Sequence, residues 1–71
     1  MILIKNNIEK LRHKFNISQT TLANELKVSR QTISSLENGR YHPSIHLAFK
    51  IARYFNLTIE DVFIYNEEEN E

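Results

Sequence analysis

The chain has 71 residues and no cysteine, and its nine Lys and Arg balance nine Asp and Glu to a formal net charge of zero. One small domain of this size buries only about 60% of its unfolded surface, and without cysteine it has neither disulfides nor a cysteine-based zinc site to brace it. No apolar run approaches the roughly 18 residues of a membrane span, and Met1-Ile2-Leu3-Ile4 is too short for a secretory signal, so a soluble, cytoplasmic protein is expected.

Residues 1–5 are apolar and β-branched and read as a short strand. Asn6 or Asn7 can cap a first helix that carries Ile8, Leu11 and Phe15 on one stripe. Asn16-Ile17-Ser18 ends it and starts a second helix, with Ser18 as the cap. Leu22, Ala23 and Leu26 give this second helix one apolar side. After a tight turn, Ser29 caps a third helix over residues 29–38.

At 100° per residue, Ile33 and Leu36 point to one side of the third helix, while Arg30, Gln31, Ser34, Ser35 and Asn38 point to the other. A helical face with Arg and Gln but no large apolar residue suits base edges in the major groove of double-stranded DNA. Arg matches the two acceptors of guanine, and Gln matches the acceptor–donor pair of adenine. The second and third helices thus form a helix-turn-helix, the first of the two bracing the second across the sugar–phosphate backbone. Arg30, Gln31, Ser34 and Ser35 are the expected base readers. Gln19 opens the second helix, where the amide hydrogens and the helix dipole favour a phosphate.

Gly39 falls where a left-handed residue commonly ends a helix. Asn38, Arg40 and Tyr41 lie beside the exposed face and are further candidates for phosphate contacts that set register. A fourth helix is expected from Ser44 to Phe55, with Ile45, Ala48, Ile51, Ala52 and Phe55 in the core. Leu47, Phe49 and Tyr54 lie off that stripe; an apolar residue that the core cannot use suggests a second buried surface, with Phe49 and Tyr54 as dimer contacts. Thr58-Ile59-Glu60-Asp61 opens a short fifth helix with its acids placed for the dipole.

Val62-Phe63-Ile64-Tyr65 has strand composition and can pair with Ile2-Leu3-Ile4. A lone two-stranded ribbon is marginal in water, so two copies joining through Ile2, Ile4, Phe63 and Tyr65 would complete it. The last five residues, 67–71, hold four of the nine acids. Residues 1–66 therefore carry nine Lys and Arg against five acids, a surplus of four that accords with phosphate contact. The domain is expected to span 1–66, with 67–71 a solvated, disordered acidic tail.

The run Gln19, Ala23, Val28-Ser29-Arg30-Gln31-Thr32-Ile33, Leu36-Glu37-Asn38-Gly39, followed by His42-Pro43-Ser44, resembles the phage Cro/repressor and Xre family of bacterial regulators. The resemblance covers residues 6–65 and is strongest to the short stand-alone members. It implies an all-α, five-helix, lambda-repressor-like domain, extended here by a small antiparallel sheet of the two termini. It implies an ion pair between Arg12 and Glu37 that locks the first helix to the third, a phosphate contact at Gln19, and a homodimer formed through the terminal sheet. One departure is Lys27, where many members carry Gly in the turn; a left-handed residue other than Gly costs about 1 kcal/mol there.

Catalytic and metal chemistry find little support. His42 and His46 are four apart, but Pro43 and the Ser44 cap separate them, and no Cys or acid stands near to complete a site. His13 stands apart from both. Gly39 is the single glycine, so there is no Gly-rich phosphate loop. The expected function is a homodimeric, sequence-specific transcriptional repressor on an inverted-repeat operator, with no enzyme activity, metal, cofactor, membrane or small-molecule ligand. Two alternatives are an antitoxin that represses its own operon and a protein-interaction module that has lost DNA binding. The second would place acids or large apolar residues on the exposed face of the third helix.

Overall fold

The computed structural model describes residues 2–67, with side chains over residues 5–65. The chain runs β1 (Ile2–Asn6), α1 (Ile8–Lys14), α2 (Gln19–Leu26), α3 (Arg30–Glu37), α4 (Ile45–Tyr54), α5 (Ile59–Val62) and β2 (Phe63–Glu67). Five helices and a two-stranded sheet match the fold read from the sequence.

Local chemistry sets the helix starts. Ser18, Ser29, Ser44 and Thr58 are extended, and each side-chain oxygen accepts from the amide three residues on, at Thr21, Thr32, Leu47 and Asp61. Thr58 and Asp61 complete a reciprocal capping box, with Thr58 N donating to Asp61 Oδ2 at 3.1 Å. The first helix differs: Asn7 holds the cap position without a side-chain bond, and the oxygen comes from Asn6, whose Oδ1 accepts from Ile8 N at 3.1 Å.

The first four helices end alike. Asn16, Lys27, Gly39 and Asn56 are all left-handed, with φ between 58° and 79°. Just past each, an amide donates back to a carbonyl five residues earlier: Ile17 to Arg12, Val28 to Ala23, Arg40 to Ser35 and Leu57 to Ala52. This arrangement satisfies carbonyls that the helix itself leaves open. In three of the four cases an apolar residue and then a hydroxyl cap follow, so one device builds three corners.

The corners fold the apolar stripes onto a single core of Ile8, Leu22, Ala23, Leu26, Ile33, Leu36, Leu47, Ile51, Ala52, Phe55 and Val62. Two expectations need correcting. Leu47 is buried, while Ile45 is 75% exposed. The reason is that Leu47, Ile51 and Phe55, spaced by four, form the line facing the core, and Ile45 lies at the opposite edge in the first turn of α4. Phe15 is 51% exposed and sits at the end of α1, stacked on Phe55 with ring centroids 5.8 Å apart.

The termini pair antiparallel, with Ile4 opposite Tyr65, Lys5 opposite Ile64 and Asn6 opposite Phe63. Glu67, assigned to the tail by its charge, is instead the last residue of β2, opposite Ile2. Residues 68–71 of the expected tail, and the side chains of Ile2 and Ile4, lie outside the described residues. Among the described residues no helix is long and apolar enough to cross a membrane.

Candidate nucleic-acid interface

The helix α3 divides as its period requires. Ile33 and Leu36 are buried to 0% and 1% exposure, while Arg30 and Gln31 are exposed at its N-terminal turn. Ser34 and Ser35 are half-buried, so the open part of the face is narrower than the sequence suggests. Asn38 and Arg40 are exposed just beyond the helix. Tyr41 is 44% exposed and walls a shallow hollow with Gln31, Thr32 and Ser35. The structure therefore brings Tyr41 beside the candidate base readers Gln31 and Ser35.

Behind this face, α3 is held by a polar cluster. Arg12 Nε donates to Glu37 Oε2 at 2.6 Å and Nη2 donates to Oε1 at 3.0 Å, a two-pronged match of guanidinium to carboxylate. Arg12 Nη1 donates to the Ile17 carbonyl at 3.1 Å. The two side chains are only 9% and 6% exposed. The hydrogen bonds to Glu37 raise the Arg12 pKa above its ordinary value against the opposing effect of burial, and the charges of Glu37 and Glu9 add to the rise. Arg12 is thus firmly cationic.

Gln19 joins the same cluster, its Nε2 donating to Glu37 Oε1 at 2.9 Å. One amide hydrogen of this candidate phosphate ligand is therefore committed inside the protein, and the other stays available. Three elements meet at Glu37: α1 through Arg12, α2 through Gln19, and α3 itself.

Two further supports have no signature in the sequence. Asn6 Nδ2 donates to the Leu36 carbonyl at 2.8 Å, and Lys50 Nζ donates to the Leu26 carbonyl at 2.8 Å. Both close the C-terminal ends of helix-turn-helix elements from distant parts of the chain. The bond from Lys50 also places a cation where the α2 dipole favours one. His13, His42 and His46 are exposed; His42 lies in the loop before α4 and His46 on the helix. Among the described residues no group of three or more His, Cys, Asp or Glu could hold a metal ion.

Comparison with known proteins agrees with this geometry. A helix-turn-helix family model matches residues 8–62, from the start of α1 to the end of α5. An uncharacterized HTH-type transcriptional regulator of Archaeoglobus fulgidus is 52% identical over 66 residues, covering 93% of each chain. Another from Methanocaldococcus jannaschii is 50% identical, covering 93% of this chain and all of the relative. A crystal structure of a Bacteroides fragilis protein superposes with a TM-score of 0.75 at 24% identity, over 89% of this chain and 98% of that one, which shows a shared fold. The chain belongs to the helix-turn-helix family of the Cro/C1 (Xre) type, whose members are DNA-binding transcriptional regulators and not enzymes.

Proposed function

We propose that the protein is a cytoplasmic repressor that binds an inverted-repeat operator as a homodimer, with α3 in the major groove. The observation that carries this reading is the division of α3. Arg30 and Gln31 stand open on one side, and Ile33, Leu36 and Glu37 tie the other side to the domain. A helix held this way presents its side chains to base edges without ordering itself on binding. Arg30, Gln31, Ser34 and Ser35 read bases. Gln19, Asn38, Arg40 and Tyr41 hold the backbone, Tyr41 from a place that also touches the reading face.

Dimerisation is supported by apolar surface that one copy leaves uncovered. Phe49 is 49% exposed on α4 and Ile45 extends that surface at 75%, whereas Tyr54, 37% exposed, borders a separate hollow with Phe15, Ile17 and Phe55. Shallow hollows run from Phe49 and Leu57 across Ile59 to Ile45 and Phe63. On the terminal sheet, Ile64 and Tyr65 are 40% and 60% exposed, while Phe63 is half-buried and packs on the core. A second copy covering the α4–α5 side or the sheet would remove this surface from water. To read an inverted repeat, such a dimer must set its two recognition helices about 34 Å apart, one turn of DNA. A bound dimer overlapping a promoter blocks polymerase.

The test is a salt-titrated binding assay on DNA from upstream of the protein's own gene, with a scrambled duplex as competitor and sedimentation to count protomers. The expected result is a preference of about 10³ or more with affinity falling steeply in salt. Two protomers should bind each operator. Weak and equal binding to both duplexes would mean that the upstream DNA is not the operator, and no binding at low salt would refute the DNA-reading role.

A further inference from the structure

Asn6 is the last residue of β1, and its half-buried side chain joins three elements. Its Oδ1 accepts from Ile8 N at 3.1 Å, at the start of α1, and its Nδ2 donates to the Leu36 carbonyl at 2.8 Å, near the end of α3. One contact needs an acceptor and the other a donor, so together they permit a single orientation of the amide. The Leu36 carbonyl is among those that the helix leaves without a partner of its own. Gly39 N reaches it at 3.2 Å, and Asn6 supplies the shorter bond.

The neighbouring Glu37 is held by Arg12 and Gln19. The C-terminal end of α3 is therefore tied to β1, α1 and α2. Its N-terminal end, with Arg30 and Gln31, is exposed. At a rise of 1.5 Å per residue, Arg30 stands about 9 Å along the axis from Leu36, so a tilt at the tied end is carried to the reading end.

We propose that Asn6 is a positioning residue for DNA discrimination: by tying the carbonyl end of α3 to the terminal strand, it sets the angle at which Arg30 and Gln31 meet the bases. This rests on the base-reading role of α3 given above. Paired hydrogen bonds to one base edge demand alignment, whereas phosphate contacts by flexible cations tolerate a small tilt. Loss of the Asn6 bond is therefore read in discrimination rather than in general affinity for DNA.

The discriminating variant is Asn6→Asp in the full chain. It keeps an oxygen for Ile8 N but replaces the donor to Leu36 with a second acceptor. A preferred duplex is first selected from a random-sequence pool with the unsubstituted protein. The ratio of affinities for that duplex and a scrambled one should fall about tenfold, the effect of misaiming one paired base contact. In the neutral variant Asn6→Ser, affinity for the scrambled duplex and the salt slope should stay unchanged, because net charge and the phosphate donors are untouched. Amide exchange at Gly39 and Arg40 should quicken while that in α2 and α4 does not.

Asn6→Ser is the second variant; it keeps a capping oxygen without a carboxylate and is too short to reach Leu36, and it should lower the ratio alike. An unchanged ratio in a folded variant overturns the proposal. So does a parallel fall of both affinities with the melting midpoint, which marks a purely structural residue. If the unsubstituted protein selects no preferred duplex, the base-reading role falls and this proposal with it. A preferred duplex that both variants discriminate normally overturns this proposal alone.

Discussion

Replacing Glu37 with alanine tests the cluster that holds the recognition helix. The carboxylate accepts from Arg12 Nε at 2.6 Å, Arg12 Nη2 at 3.0 Å and Gln19 Nε2 at 2.9 Å, with its side chain 6% exposed. Removing it strips the Arg12 guanidinium, 9% exposed in the intact pair, of every partner but the Ile17 carbonyl at 3.1 Å. Stripping one member from such a pair costs about 3–5 kcal/mol, since the other charge stays out of water uncompensated. Domains are held by roughly 0.05–0.15 kcal/mol per residue, so roughly 4–11 kcal/mol at this length. The substitution should therefore remove about half of the stability, and the thermal midpoint should fall by at least about 12 °C.

The assay is urea unfolding followed by circular dichroism at fixed protein concentration, because dimerisation would make stability concentration-dependent. A double variant, Arg12→Met with Glu37→Leu, replaces both charges by apolar groups and should recover most of the loss. A loss below about 1 kcal/mol for Glu37→Ala, the behaviour of a surface pair, would refute the reasoning. A double variant as unstable as the single one would refute it too. Folding raises the Arg12 pKa, so its contribution is complete below the ordinary arginine range and lost only as pH rises past it. The stability difference between the unsubstituted protein and the Arg12→Met, Glu37→Leu double variant, in which no charge is left buried alone, should thus not vary with pH near neutrality.

Arg30→Ala should weaken binding to the preferred duplex by about 1–3 kcal/mol and relax preference at one base pair in a substitution scan. An unaltered profile would remove Arg30 from base readout. Arg40→Ala should weaken all duplexes alike and lower the salt slope by about one. A sequence-selective loss would make Arg40 a base reader instead. Lys27, left-handed at φ 61°, should be replaceable by Gly with a gain of up to about 1 kcal/mol, offset in part by the greater freedom of Gly in the unfolded chain. A lowered melting midpoint for Lys27→Gly would mean that the side chain stabilises the turn in some other way.

The sequence by itself determined where helices start and stop and which residues of α3 share a face. A cap bond joins residues three apart, a left-handed corner needs Gly, Asn or a tolerated exception, and the helical period places side chains with no knowledge of the rest of the chain. Ser18, Ser29, Ser44, Thr58 and Gly39 were legible for that reason. The family resemblance led to Arg12 and Glu37, which no local pattern would have paired. Only the tertiary structure decided which edge of α4 is core. Ile45 and Leu47 both border its apolar stripe, and periodicity does not say which edge a neighbouring element covers. Nor does it place Gln19 on Glu37, Lys50 on Leu26 or Asn6 on Leu36, bonds that span 18, 24 and 30 residues. Such contacts arise where elements meet in space, and the residues that make them are ordinary polar residues until the fold brings a carbonyl or carboxylate within reach.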